Sequence, residues 1–532
     1  ASFEVAHDRI VEVLTDVAPW VDSWEELTEL DLSGRKLESV VRLKEFAPRL
    51  EKVRLDRNAL SYLTGLPAGL RLLTLSGNRV PSIVSFGHLR SLETLDLSGN
   101  EVDDLSSLDC LMHLRHLRAD ANGISDVRGI ERLEHLHSLS LRGNKLVSLD
   151  LSKTSWRRLS HLDVAHNALT SIKGLWHCKH LKTLDVGSND LSLLDLGTGL
   201  MPRLRSLRVS NNSRLERLDV LPAARSLRTL FADFCALEKI DHLGALDKLE
   251  ELSVRQQLTK PSKAPAGLHN VFGATPRLPN TSLSACSFNN VAYLELSACQ
   301  LTAIPPNLAV LFPNLHQLVL DHNLFTRLPP SRSNGKSNGG GLAALSRLKR
   351  VSLVGCRIKS TRNLIEAFEG CDQLAVLDAR MNPATLGLYP PVLASPLISA
   401  SISPSPAFLA PMPNAETLRP DTIEGEMAQK QKERAEEERG RWEKSFWHKV
   451  HPRPEEDGDD SRGTEQHDDE DADETIKPAK QHDARFSRTL PAQLAMRRLL
   501  HRGTLGMVCP ALQWLDGLQI TDAEVNEAER VL

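Results

Sequence analysis

The sequence predicts an α/β solenoid in which about fifteen short strands stack into one parallel, concave sheet, closed by a helical cap at each end. Three observations carry this expectation. One pattern of apolar residues recurs at nearly constant intervals through most of the 532 residues. Aromatic residues make up only 4% of the chain while leucine is conspicuous, which suits one elongated repeat array better than a string of globular cores. Both ends carry helical periodicity outside the repeating pattern.

Taken in order, residues 1–26 read as an N-terminal helical cap. Phe3, Val5, Ile10, Val13, Leu14 and Val17 recur at helical spacing over residues 2 to 19, and Pro19 ends the run. The opening Ala1-Ser-Phe-Glu-Val has no basic stretch followed by an apolar one, so it does not read as a secretory signal.

From residue 27 the template L-x-x-L-x-L-x-x-N-x-L can be laid down fifteen times, as in Leu70-x-x-Leu73-x-Leu75-x-x-Asn78 and Leu136-x-x-Leu139-x-Leu141-x-x-Asn144. Its ninth position falls at Arg35, Asn58, Asn78, Asn100, Asn122, Asn144, Asn167, Asn189, Asn212, Cys235, Gln257, Cys299, Asn323, Cys356 and Asn382. Between Asn58 and Gln257 the step is 20 to 23 residues. Residues 27–390 resemble the leucine-rich repeat family, and the fold class is a leucine-rich repeat solenoid of the 22-residue class. In such a coil the leucines point inward from a short strand and stack on the next turn, because one repeat alone cannot bury them. The asparagine satisfies backbone groups where the chain leaves the strand. Cysteine serves as a small substitute at Cys235, Cys299 and Cys356. Arg35 and Gln257 depart from the pattern, which predicts irregular geometry at the first and eleventh turns. So short a repeat leaves room only for 3₁₀ or irregular turns on the convex side. The eight cysteines form no C-x-x-C pair, so neither a disulfide framework nor a zinc site is expected.

Insertions interrupt the phase at 259–290 and 331–341, the latter a Gly/Ser tether (SRSNGKSNGGG). A longer one, 391–485, begins rich in proline and serine. The uncharged stretch Met381 to Ala415 contains eight prolines and so cannot form a membrane-spanning helix. A charged helical stretch, Glu424 to Val450, follows, with Trp442, Phe446, Trp447 and Val450 on one face, suited to docking on the solenoid or on a partner. Ser395-Pro396, Ser403-Pro404 and Ser405-Pro406 fit proline-directed kinases. Residues 486–532 read as the C-terminal cap, with a helix over Pro491 to Leu505 and then Cys509-Pro-Ala-Leu512-Gln-Trp514-Leu515-Asp516-Gly517 closing the sheet.

The formal net charge of −4 hides a division. Glu455 to Glu474 holds twelve acidic residues and one basic residue, a local −11, which leaves +7 for the rest. That run reads as a solvated, disordered tether, and it is also suited to shielding a basic face of the solenoid until a partner displaces it. A diffuse +7 over more than 500 residues is not the footprint of a nucleic-acid binder.

The sequence carries no P-loop, no G-x-G-x-x-G after a strand, no H-E-x-x-H and no G-x-S-x-G, so neither enzyme activity nor a cofactor is expected. The candidate functional surface is the concave face, read at template positions three, five and seven. Two patches stand out there. His116, Arg118, Arg142 and His161 suit an acidic or phosphorylated peptide through charge-assisted hydrogen bonds. Arg208, Phe231 and Arg255, with Phe234 and Tyr293 beside them, combine the aromatic and arginine anchors of interface hot spots. The pattern leaves Phe234 open between core and face. Replacing Arg208, Phe231 and Arg255 by Ala is expected to weaken partner capture and leave thermal unfolding nearly unchanged.

Four stretches resemble one subfamily more than generic repeats. They are Leu30-Asp-Leu-Ser-Gly-Arg35-Lys-Leu37, Leu66-Pro-Ala-Gly-Leu70-Arg-Leu-Leu73, His113-Leu-Arg-His-Leu-Arg-Ala-Asp-Ala-Asn122-Gly-Ile124 and Leu252-Ser-Val-Arg-Gln-Gln257. They resemble the leucine-rich domain of the fungal spindle-pole-body scaffolds of the septation initiation and mitotic exit networks, related to centriolin. The resemblance implies a non-enzymatic scaffold at the spindle pole body, in the cytoplasm and cytoskeleton, that serves mitotic exit, septation and cytokinesis. It implies as partners a spindle-pole anchor protein, GTPase regulators and a Mob-kinase module of NDR type. A long N-terminal region precedes the repeats in that family, so this chain is expected to be its C-terminal part. A phosphatase regulatory subunit and an RNA-splicing adaptor are the alternatives.

Overall fold

The computed structural model describes residues 2–17, 23–195, 201–219, 224–237, 239–241, 246–257, 288–304, 308–331, 341–390 and 482–532. The expected helix over 424–450 with its aromatic face, the acidic run, the Ser-Pro dipeptides and most of the insertions 259–290 and 331–341 lie outside these residues. The chain divides into two compact units, one of Ala1–Leu386, Leu500–Gln513 and Ile520–Leu532 and the other of Gly387–Leu499 and Trp514–Gln519.

In the first unit fifteen three-residue strands, from Glu29–Asp31 to Val376–Asp378, pair side by side and all in parallel. Their central residues are Leu30, Val53, Leu73, Leu95, Leu117, Leu139, Leu162, Leu184, Leu207, Leu230, Leu252, Leu294, Leu318, Val351 and Leu377, and each strand is named by that residue below. These side chains face inward and are at most 6% exposed. Each such leucine contributes about 1.5–3 kcal/mol on burial, and it finds its cover only in the turns on either side.

Two devices turn the chain out of every strand. The residue at template position eight takes the left-handed conformation in all fifteen turns. Glycine fills it at Gly34, Gly77, Gly99, Gly143 and Gly355, and residues such as Arg57, Ala121, Phe234 and Met381 elsewhere. The asparagine that follows then bridges turns. Asn212 Nδ2 donates to Val186 O and Val209 O at 3.1 and 2.7 Å, and its Oδ1 accepts from Leu191 N at 3.1 Å.

The cysteine substitutes keep half of this role, since the Cys235, Cys299 and Cys356 thiols donate to Val209 O, Val254 O and Leu320 O. Burial pushes all three thiols up to about 12, which keeps them protonated donors. The irregularity expected at Gln257 is not present. One methylene longer than Asn, its amide still reaches Ala232 O at 2.8 Å and accepts from Leu237 N at 3.1 Å. The strands on either side stay in register, and so do the first two strands despite Arg35.

Away from the main sheet, 3₁₀ turns appear as expected at Ser106–Leu108, Leu151–Lys153, Leu175–His177 and Leu342–Ala344. The expectation of nothing more regular there needs correcting. Ser148–Asp150 pairs with Ser171–Lys173, and Leu193–Asp195, Arg217–Asp219 and Lys239–Asp241 form a second parallel ladder. Alternation such as Ser148-Leu-Asp and Arg217-Leu-Asp lets these segments extend and pair.

The N-terminal helix runs Ser2–Val17 and buries Ile10, Val13 and Leu14. The C-terminal helix is Ala492–Val508, ending three residues beyond the point the sequence suggested, and a second helix, Asp522–Val531, follows. Thr521 and Glu524 form a capping box at the start of that second helix. Within the first unit, Arg502 clamps Glu524 at 2.7 and 3.1 Å, and Gly503 and Gly506 admit Ala528 and Val525 where a Cβ would collide. Gln513 N donates to Ala375 O at 2.9 Å, so the chain re-enters the repeat phase after the long insertion.

The second unit gathers Leu388, Tyr389 and Leu518 with Leu494. Arg498 lies over the Tyr389 ring at 5.1 Å and pairs with Asp483 at 2.5 Å. Trp514–Leu515 pairs antiparallel with Leu518–Gln519 through Asp516 and Gly517, both at positive φ, which is the geometry of a tight hairpin turn.

Candidate functional site

Register places the candidate residues in rows across the exposed face of the sheet. His116, Ser138 and His161 lie in one row, and Arg118, Ser140 and Asp163 in the next. This face is more closed than the alternation suggested, and hydrogen bonds between turns are the reason. Asp120 accepts from Ser140 Oγ at 2.5 Å and from Arg142 N at 2.9 Å on the following turn. The same clasp joins Asp56 to Thr74 and Ser76, Asp233 to Ser253 and Arg255, and Asp321 to Ser352 and Val354.

In the first patch, Arg118 donates to Asp120 at 2.6 Å. Arg142 lies 3.6 Å from Asp163 and 4.0 Å from Asp185. The two side chains keep only 17% and 15% of their exposure, so both guanidiniums are committed to carboxylates of this chain. The His116 ring sits 6.3 Å from that of His137, and His161 Nδ1 lies 2.7 Å from Ser160 Oγ. Burial holds the Asp163 carboxyl up to about 7, with Asp185 adding to the shift and Arg142 opposing it. Asp96 is raised by burial in the same way. The patch is thus a mixed-charge cluster, in which acids at positions five and seven answer the arginines.

The second patch holds two arginine–aromatic pairs. The Arg208 guanidinium lies 5.1 Å from the centre of Phe231, and that of Arg255 lies 5.5 Å from Phe234. Both phenylalanines are half-buried. Phe234 is not core: it occupies the left-handed position eight, whose backbone carries it out of the inward row. Arg255 also pairs with Asp233 at 3.4 Å and Glu295 at 3.3 Å. Tyr293 Oη donates to Glu295 at 2.5 Å. Burial raises both the Tyr293 hydroxyl and the Glu295 carboxyl. The structure therefore assembles Arg255, Phe234, Tyr293, Asp233 and Glu295 into one network, with Arg208 and Phe231 next to it.

The template positions put Asp120, Asp163, Asp233 and Glu295 on this face without marking them as site residues, and Asp185 is the further acid that the sequence reading did not name. Their signal was present, as charge of opposite sign at neighbouring template positions. Off the sheet, a groove of about 540 Å³ runs between Lys44, Tyr62, Leu63, Ile83, Val84 and His88, with Ile83 91% exposed. Among the described residues no group of three His, Cys, Asp or Glu is placed to hold a metal ion. No described helix is long and apolar enough to cross a membrane.

Repeat phase, inward leucines and the asparagine ladder define a leucine-rich repeat protein. Family profiles agree: the one described as leucine rich repeat matches residues 134–191, and the one described as two copies of leucine rich repeats matches 69–110. A leucine-rich repeat protein of Leptospira interrogans has the same fold, with a TM-score of 0.51 at 21% identity over 70% of this chain and 94% of that one. An internalin of Listeria monocytogenes aligns at a TM-score of 0.43 and 20% identity over 71% of this chain and 90% of its own. The chain belongs to the leucine-rich repeat proteins, and its sequence relates it to a fungal septation initiation network scaffold. It is 41% identical over 396 residues, 73% of its length, to the septation initiation network scaffold protein cdc11 of Schizosaccharomyces pombe. It spans 36% of that protein's length. The relative is named as a scaffold, and the likeness to the Leptospira protein shows the repeat fold.

Proposed function

We propose that this chain is the repeat region of a non-enzymatic scaffold of the septation initiation or mitotic exit type, resident at the spindle pole body. The Phe231 region of its sheet face is where it holds a protein component of that network. One observation carries the site: two half-buried phenylalanines, each under an arginine, on a face whose other described patch is made of histidines, hydroxyls and paired charges. Such rigid aromatic and arginine anchors carry interface energy at low entropic cost. The relative's role supports the network, and GTPase regulators and a Mob-associated kinase are the components to examine first.

Partner capture by Phe231→Ala combined with Arg208→Ala tests the docking reading, together with live imaging of the tagged protein in dividing cells. Foci at the spindle poles, and loss of one network component from the variant, are the expected results. Diffuse nuclear signal, or unaltered capture of every component, sinks the proposal. Arg255 is left intact in this variant because it neutralises two carboxylates.

A further inference from the structure

Each strand is entered through three positions, the two residues ahead of the first template leucine and the one behind it. Backbone bonds align these positions along one edge of the sheet: Lys182 N donates to Ser160 O, Arg205 N to Lys182 O and Arg228 N to Arg205 O, at 2.7, 2.8 and 2.7 Å. On the four successive turns led by Leu159, Leu181, Leu204 and Leu227, eight of the twelve entry residues are Lys or Arg and none is acidic. Arg157 and Arg158 stand on the first of these turns, and Lys179 and Lys182 on the second. Arg203 and Arg205 follow, then Arg225 and Arg228. All eight are exposed, and all belong to the first unit. Among the described residues only Arg228 of the eight forms an ion pair, with Glu250 at 3.1 Å. Arg203 donates to His180 Nδ1 at 2.9 Å and Arg158 to His135 Nδ1 at 3.3 Å, contacts that orient the guanidiniums without bringing negative charge. Acidic residues bound the strip, with Glu134 before it and Asp247 and Glu250 after it.

The same edge is built differently nearer the N-terminus. There the position behind the leucine alternates in sign, as Glu51, Arg71, Glu93 and Arg115 on successive turns. Arg71 lies 3.9 Å from Glu51 and 2.8 Å from Glu93, and Arg115 lies 3.5 Å from Glu93, so that stretch neutralises itself. Lys182, Arg205 and Arg228 hold the equivalent places with one sign repeated. Neighbouring strands lie ~4.8 Å apart, inside the ~8 Å screening length of physiological salt. The eight charges therefore repel one another, and a series of anionic groups laid along the edge would relieve that repulsion.

We propose that this entry edge is a docking site for a partner protein, and that its occupant is a short extended segment rich in Asp and Glu. Charge complementarity supplies the attraction, and the layout selects the occupant. The cations stand on separate turns instead of converging on one point, which suits several carboxylates in series better than a single phosphate. Four turns span about 15 Å, the length of about five residues of extended chain, and the acidic residues at both ends of the strip repel anything longer of the same charge. A single-stranded nucleic acid would want aromatic platforms for its bases, and none of the twelve entry positions holds Phe, Tyr or Trp. The site is separate from the Phe231 patch and does not rest on the docking reading given for it.

Fluorescein-labelled hexaglutamate is the probe, titrated against the full chain and against two full-length variants. One variant carries Lys182→Glu, Arg203→Glu and Arg205→Glu. The other carries Arg49→Glu, Arg347→Glu and Lys349→Glu, the same change of net charge at exposed entry positions on other turns. Hexaglutamate should bind the unaltered chain and weaken steeply with added salt, and the first variant should bind it at least about tenfold less tightly. The second variant should stay within about twofold of the parent, because its charges lie beyond the screening length from the strip. Thermal unfolding of all three proteins should be alike, since every altered side chain is exposed. A labelled hexathymidylate tests the nucleic-acid reading under the same conditions. No saturable binding of hexaglutamate, equal losses in the two variants, or tighter binding of hexathymidylate than of hexaglutamate would each overturn the proposal.

Discussion

Asp163 and Asp185 lie in register on adjacent strands and share the guanidinium of Arg142, at 3.6 and 4.0 Å. Two like charges side by side with one cation between them favour a proton on one carboxyl. Burial is the larger cause, and the Asp163 carboxyl is held up to about 7. Burial raises Asp321, on another turn, to about 7 as well.

A pH dependence of stability follows. An aspartate in the unfolded chain titrates near ~3.9, so between about pH 4 and about pH 7 the folded state holds protons that the unfolded state has released. The stability these groups contribute is present below the unfolded value and is lost as pH rises through about 7. Thermal unfolding should therefore occur at a higher temperature at pH 5 than at pH 8. Asp163→Asn should raise the midpoint at pH 8 and reduce that difference. A midpoint that climbs steadily from pH 5 to pH 8 would contradict the assignment.

The asparagine ladder offers a second measurement. Asn212 is fully buried and makes two of its three bonds to the preceding turn and one within its own, so Asn212→Ala should cost about 3 kcal/mol in denaturant unfolding. Cys235→Ala removes two thiol bonds of 3.4 Å and should cost clearly less, about 1 kcal/mol. Equal losses would mean that the bridge between turns is not what the asparagine supplies.

Glycines separate conformation from space. Gly34 is at φ +69 with nothing near its absent Cβ, whereas at Gly65, φ +100, a Cβ would sit 2.0 Å from Val41 O. Gly34→Ala should therefore carry only the left-handed penalty of about 1 kcal/mol. Gly65→Ala has to displace the Val41 backbone as well and should lower the unfolding midpoint several-fold more. Comparable midpoints for the two variants would refute the close approach.

Much of this fold was legible because its rules are local. Leu73, Leu75 and Asn78 state strand, inward face and exit within six residues, and Ser-Gly-Asn at 76–78 even displays the left-handed position eight. What escaped is what crosses turns. Asp233 and Arg255 are 22 residues apart, and Arg255 and Glu295 are 40 apart, yet register makes each pair neighbours. Reading Arg118, Arg142 and Arg255 along the chain gave a basic face; reading across the strands gives ion pairs. Gln257 escaped for another reason, since its longer side chain reaches the same groups by a small change in torsion. The basic entry edge was hidden because the template leaves those positions unconstrained, and only stacking aligns Lys182 with Arg205 and Arg228.

The same distinction corrects the expectation that Arg208, Phe231 and Arg255 can all be truncated without loss of stability. The Arg208 guanidinium lies over the Phe231 ring at 5.1 Å, and both residues are half-buried. Replacing both by Ala removes a contact worth about 1 kcal/mol and keeps Arg255 between Asp233 and Glu295. Arg255 keeps 16% of its side-chain exposure and stands between Asp233 and Glu295, which keep 5% and 7%. Removing it leaves two enclosed carboxylates without their cation, at a cost of about 3 kcal/mol. Arg255→Ala should therefore lower the unfolding midpoint at pH 7 and recover part of the loss at pH 5, where Glu295, already raised by burial, takes up a proton. Phe231→Ala with Arg208→Ala should show a smaller loss and no pH-dependent recovery. An Arg255→Ala protein as stable as the parent at pH 7 would remove Arg255 from the architecture of the face and return it to the docking surface alone.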